Sequence, residues 1–245
     1  MRGLALLPLL ALAWAQGFDP LKEAAEPLLG YRIALVYRPF GGTGIGADGE
    51  GPYAFTQAGH SLRLALGLRY RAGEALSVEG VLLGDYTLLG EVRDRGGGPL
   101  PPVWSAGGGL AGEAGLEYRL RDLPGRPRLA LRVGYPPWSL EGEVRAGVLR
   151  DPVAVSAALG LAWTRGSPLA LSLGVGMGLL ANEAWSLGVG AGVRVPLGVE
   201  VPSGEVYLRL GYVTDPEGGE ELGLRAAHGT SGFRLVLEAS GALLR

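Results

Sequence analysis

The stretch from Pro152 to Val195 constrains the fold more than any other part of this chain. Large apolar residues hold alternate positions in three successive runs. Val153, Val155, Leu159, Leu161 and Trp163 form the first, and Leu169, Leu171, Leu173, Val175, Met177 and Leu179 the second. Trp185, Leu187, Val189, Val193 and Val195 form the third. Between them stand Ala, Ser and Gly almost without exception. A period of two places alternate side chains on opposite faces of a strand. These are three consecutive strands, each with one apolar face and one small-residue face, joined by short turns. The rest of the chain repeats the alternation, with charges in the second phase.

The N-terminus is a different kind of sequence. Arg2 precedes a short apolar run, Gly3 to Leu12, and then Ala13-Trp14-Ala15. A basic residue, an apolar run and an A-x-A site read as a secretory signal peptide, residues 1–15, cleaved after Ala15. The run is shorter than the roughly 20 residues a helix needs to span a bilayer. Residues 16–29 follow as a leader, in which Asp19-Pro20 can start a short helix or a plug. The 245 residues contain no cysteine, so disulfides and thiolate metal sites are excluded. A net charge of −2 argues against a nucleic-acid partner.

From Gly30 the alternation divides into about twelve strands, near 30–38, 60–70, 74–88, 107–120, 127–136, 138–149, 152–164, 168–180, 184–195, 204–213, 220–228 and 231–243. Ten or fourteen strands are also compatible, because the first and last hairpins carry the weakest alternation. Most runs reach the roughly 9–11 residues that a tilted strand needs to cross the hydrocarbon core. Export puts the mature N-terminus in the periplasm, so odd-numbered connections lie outside. The two longest connections, Phe40 to Gly59 and Leu89 to Ala106, are the first and third. The second and sixth, Arg71-Ala72-Gly73 and Arg150-Asp151, are tight. Long outer loops and short periplasmic turns belong to membrane barrels.

The aromatic residues give an independent check. Tyr31, Tyr70, Tyr118, Trp185 and Tyr212 share the large-apolar phase and fall at the periplasmic strand ends. Tyr37, Tyr86, Tyr135, Trp138, Trp163 and Phe233 share that phase and fall at the outer ends. Tyr207 alone takes the opposite phase. Two aromatic belts around an aliphatic band mark a lipid-facing surface, since amphipathic rings prefer the headgroup level. In a soluble sandwich the aromatics would concentrate mid-strand. On these residues the chain resembles a small bacterial outer-membrane β-barrel protein, porin-like in the broad sense. The resemblance is architectural. It implies an all-β fold, one antiparallel transmembrane barrel over residues 30–245, located in the outer membrane with lipid around it. Such barrels commonly end in an aromatic residue, whereas this chain ends Ala242-Leu243-Leu244-Arg245.

The opposite phase is expected to line the lumen. It carries Arg32, Arg63, Arg69, Arg119, Arg128, Arg132, Arg145, Arg194, Arg209, Arg225 and Arg234, with Glu79, Asp85, Glu113, Glu117, Glu141, Glu143 and Glu238. On the lipid side each Arg near the midplane would cost about 2–4 kcal/mol. Either a water-filled, Arg-rich lumen or a closed network of paired charges fits this inventory. Twelve strands lie between the filled eight-stranded barrels and the open sixteen-stranded ones. One sector differs: Gly160, Gly174, Gly176, Gly178, Gly188, Gly190 and Gly192 form a small-residue wall. Glycine inside a strand costs roughly 0.5–1 kcal/mol relative to Ala. Close packing against that wall, or strong bending of it, is the expected cause.

Other chemistry finds little support. Gly41 to Gly51, GGTGIGADGEG, resembles a phosphate loop only in its glycines, since no helix follows. It is expected to be a mobile outer loop. His60-Ser61 and His228 near the outer rim raise an outer-membrane acyl-hydrolase as a third reading, against which His228 takes the lipid-facing phase and His60 sits at a strand edge. No cofactor and no metal site are expected. The leading expectation is a passive channel for small polar solutes. The alternative is a closed structural or binding barrel that engages a partner through its outer loops or N-terminal segment.

Overall fold

The computed structural model describes residues 27–150, 152–181, 184–198, 201–215, 220–230 and 232–244. The signal peptide and almost all of the leader lie outside these residues. Twelve strands form one closed antiparallel barrel in which each strand pairs with its sequence neighbours and β1 closes on β12. They are β1 (Leu29–Asp48), β2 (Gly51–Arg71), β3 (Leu76–Asp94), β4 (Val103–Arg119), β5 (Arg128–Tyr135) and β6 (Ser139–Arg150). Then come β7 (Val153–Thr164), β8 (Ala170–Leu180), β9 (Trp185–Pro196), β10 (Ser203–Asp215), β11 (Glu220–Gly229) and β12 (Gly232–Leu244). Closure removes every free edge over the shared height, which a chain crossing lipid requires.

The register around the barrel fixes its shape. One circuit from strand to strand through the registered partners advances about 14 residues along β1, which for this strand number sets a tilt of about 40°. The same circuit ranks residues by height. Tyr31, Tyr70, Tyr118, Trp185 and Tyr212 fall at one level, and Tyr37, Tyr86, Tyr135, Trp138, Trp163 and Phe233 at another. The levels differ by about eight residues, or about 20 Å along the axis at this tilt. Neighbouring rings in each level touch: Trp185 meets Tyr212 at 4.6 Å between centroids, and Tyr135 meets Trp138 at 4.9 Å. Between the levels, Leu64, Leu66, Leu82, Leu131, Leu159, Leu173, Val189, Leu208 and Leu224 are exposed on the outer face.

The first four strands depart from the expected boundaries. The segment from Phe40 to Gly59, expected as a loop, continues β1 and β2 in unbroken register as far as Asp48↔Gly51. The Leu89–Ala106 connection is likewise mostly strand, since β3 and β4 stay paired up to Glu91↔Val103. β1 leaves β12 at Tyr37, and β4 is paired with β5 only from Gly112 downward. A four-stranded extension therefore rises about ten residues, or about 25 Å, above the upper aromatic level. Glycine disguised these strands as loop. Gly44 and Gly46 sit under the rings of Phe55 and Tyr53, and Gly59 sits under Phe40. An aromatic ring covering a strand glycine supplies the packing that the glycine lacks. The turn needs Gly51, whose φ of 113° is accessible to glycine and strained for other residues.

Candidate functional site: the barrel interior

The interior is built by the second phase of every strand. Among the charged residues described, Arg63, Arg132, Glu141, Glu143, Glu221, Arg225 and Arg234 are buried. Their partners stand on the same strand, on a neighbouring strand or two strands away. Arg63 reaches Asp85 from β2 to β3, with Nη2 donating to Oδ2 at 3.1 Å. Arg69 and Arg128 converge on Glu117 at 2.7 and 3.3 Å, with Arg119 at 3.7 Å. Arg145 Nη2 donates to Glu143 at 3.1 Å, and Arg132 lies 3.9 Å from Glu141. Arg32 closes the seam between β1 and β12 through Glu238 at 2.6 Å. Arg209 reaches Glu221 at 2.6 Å and Glu238 at 3.3 Å. Arg234 bonds both oxygens of Glu205 at 2.6 Å. Charge-assisted bonds of this kind are strong where water is scarce.

Glu205 and Glu221 belong to this network, Arg38 shares its inward phase, and the sequence reading left all three out. Strand parity would have found all three. Glycine serves the network directly: a methyl added at Gly223 would meet Glu238, and one at Gly211 would meet Glu221 and Ser186. Arg194 stands on β9 beside Ser172 and Ser203. Glu79 and Glu113 flank a small cavity with Arg32, of about 20 Å³, room for about one water.

Charge is not spread evenly. In the closed order, β8 lies six strands from β2, directly across the barrel. At mid-height β1 to β3 present Ala34, Val36, Ala65 and Leu83, and these pack with Ala111 and Val236 as one apolar cluster. Opposite stand the small residues of β7 to β9, with Ala154, Ala162, Ala170 and Ser172 buried. Most charges occupy the two flanks, β4 to β6 and β10 to β12. The inward apolar residues Leu83 and Val236 were not anticipated, because Leu82-Leu83 and Leu235-Val236-Leu237 give both faces an aliphatic residue.

The small-residue wall is partly occupied. A methyl added at Gly190 would fall on the Tyr207 ring, and one at Gly176 would lie 2.9 Å from the Tyr207 hydroxyl. At Gly160 it would meet the Ser172 hydroxyl at 2.6 Å. Gly178 and Gly188 have backbone or side-chain neighbours only at ordinary distances, Leu187 at 3.8 Å and Arg209 at 3.6 Å. Gly192 is buried and pairs with Gly174. The rim histidines lie on the outer face. His60 stacks on Tyr37 and shares a 2.7 Å hydrogen bond with its hydroxyl. Ser61 points to the opposite face, where its hydroxyl lies 3.5 Å from the Arg38 carbonyl, so the pair forms no dyad.

No family's sequence pattern matches this chain, and no curated protein matches it. Solved structures do. An outer-membrane channel from Pseudomonas putida F1 superposes with a TM-score of 0.58 at 17% identity, covering 92% of this chain and 99% of that one. The translocator domain of the autotransporter NalP from Neisseria meningitidis gives 0.51 at 11% identity, covering 96% and 94%. At these identities the likeness is one of fold: this chain has the architecture of an outer-membrane β-barrel.

Proposed function

We propose that the protein is an outer-membrane channel that lets small solutes cross passively. The observation that carries this reading is the contrast between faces. The outer face is aliphatic between two aromatic levels, and the inner face carries charges through its full height. A barrel of twelve strands is wider than one that side chains fill completely. The lumen is lined by the Arg and carboxylate residues of the inward phase, the signal peptide is removed after Ala15, and lipid surrounds the band. The inward arginines are paired with carboxylates of the same or nearby strands, so the lining is mixed in sign. The solutes that suit it are small and polar.

A second reading has its own observation. Leu83 and Val236 have no exposed surface, and Arg225 is 1% exposed. Interior residues so thoroughly covered also fit a closed barrel that engages a partner from its outer side, where the extension stands. Conductance of the purified barrel in a planar bilayer separates the two. Discrete, ohmic steps are expected for the channel. A folded barrel that inserts and stays silent overturns it in favour of the closed one.

A further inference from the structure

The inner phase between the two aromatic levels holds one aromatic side chain among the described residues, Tyr207 of β10. Its position is mid-height, at Gly190 in the β9 register. Its ring lies along the wall and not toward the axis. It covers Gly190 on β9, and its hydroxyl reaches Gly176 on β8, beside Ser156 on β7. The other side of the ring carries Arg225 of β11, with Cζ 5.0 Å from the ring centroid. A guanidinium over a phenol ring is held by the ring quadrupole, and more firmly where water is excluded. Tyr207 thus packs between glycine backbone and a buried cation while part of its side chain stays exposed.

We propose that Tyr207 sets the width of the lumen, with Gly190 and Gly176 as the recess that seats its ring and Arg225 as the positioning residue that holds it there. The inference rests on the channel reading above and assigns the residue that limits solute size. The inward residues of β7 to β9 at this height are Ala, Ser and Gly, and Tyr207 is the one ring among the described residues that is laid over them. A β-carbon at position 190 has no space while the ring is seated, and the ring can yield only by tipping toward the axis. The glycines are then a requirement of the tyrosine, and their effect must vanish when the tyrosine is removed.

The test is single-channel conductance of purified, heat-modifiable barrels carrying Tyr207→Ala, Gly190→Ala, both together, Arg225→Gln or Arg225→Lys. Tyr207→Ala is expected to raise conductance about twofold, because passage follows pore diameter. Gly190→Ala is expected to lower it in the parent and to change nothing in Tyr207→Ala. Arg225→Gln should make the open level noisy as the ring is released, and Arg225→Lys, which keeps a cation over the ring, should quiet it. If Gly190→Ala fails to assemble, assembly of the double variant still supports the recess, and failure of both overturns it. A folded Tyr207→Ala barrel that conducts like the parent overturns the proposal and leaves the channel reading intact. A silent parent with a conducting Tyr207→Ala barrel supports Tyr207 as the limiting residue and ends the open-channel reading. Silence of both ends both.

Discussion

Single residues in this barrel are sorted by a parity that physical chemistry enforces. Leu173 and Ser172 are neighbours in sequence, yet Leu173 is 48% exposed on the outer face and Ser172 is buried inside with its hydroxyl against Gly160. Leu173→Arg is expected to block assembly or to cost about 2–4 kcal/mol, the price of Arg near a bilayer midplane. Urea unfolding in lipid vesicles measures it, and an unchanged midpoint would remove Leu173 from the lipid face. Glu205 makes the complementary case. Truncating it leaves the buried Arg234 guanidinium without the two 2.6 Å bonds it now makes there. A buried charge stripped of its partner typically costs about 3–5 kcal/mol. Glu205→Ala should therefore destabilise the folded barrel clearly more than Glu205→Gln, which keeps an acceptor, in the same unfolding assay.

At the scale of elements, the extension of β1 to β4 carries a cluster of ion pairs at its tip. Arg95 bonds Asp48 at 2.5 Å and Glu50 at 3.0 Å, Arg93 bonds Glu91 at 2.6 Å, and both arginines lie over the Tyr53 ring at 4.7 and 5.6 Å. The Glu50 backbone N–H, followed by Arg95 and Arg93, holds the Asp48 carboxyl below its ordinary range. A depressed carboxylate contributes stability that is present above its unfolded pKa of about 3.9 and lost as pH falls through the folded value. Amide exchange in residues 44–55 should therefore accelerate as pH drops below about 4, after correction for intrinsic rates. Asp48→Asn should abolish that dependence, and its persistence would assign the effect to another group. The rings make a separate demand. Gly44→Val places side-chain atoms where the Phe55 ring lies. It should open the hairpin to added protease, while the barrel below, closed by the β1–β12 seam, stays heat-modifiable.

For the whole molecule the decisive quantity is direction. The proposed export of the N-terminus, with short turns such as 72–75 and an extension at the opposite end, gives an expected orientation with the extension outside. Cysteines at Gly46 and Gly97 should react with an impermeant maleimide on intact cells, and one at Gly73 only after lysis. The reverse pattern would invert the barrel. In that orientation the extension would be the first part of the molecule that an approaching solute meets.

Period-two alternation and two sets of aromatics at alternating strand ends were enough to read an antiparallel barrel of about twelve strands and to separate an apolar outer phase from a charged inner one. Those properties follow from local geometry and from the cost of charge in hydrocarbon, and both are written along one strand at a time. Aliphatic runs such as Leu82-Leu83 carry no parity, so the apolar patch at mid-height was invisible. The extension was invisible because glycine reads as loop until a ring from the next strand is placed over it. The same holds for the glycine wall. Gly176 and Gly190 lie on β8 and β9 and Tyr207 on β10, and nothing in their spacing says that one ring lies over both. Register around a closed barrel decides that meeting, and register is set by all twelve pairings at once.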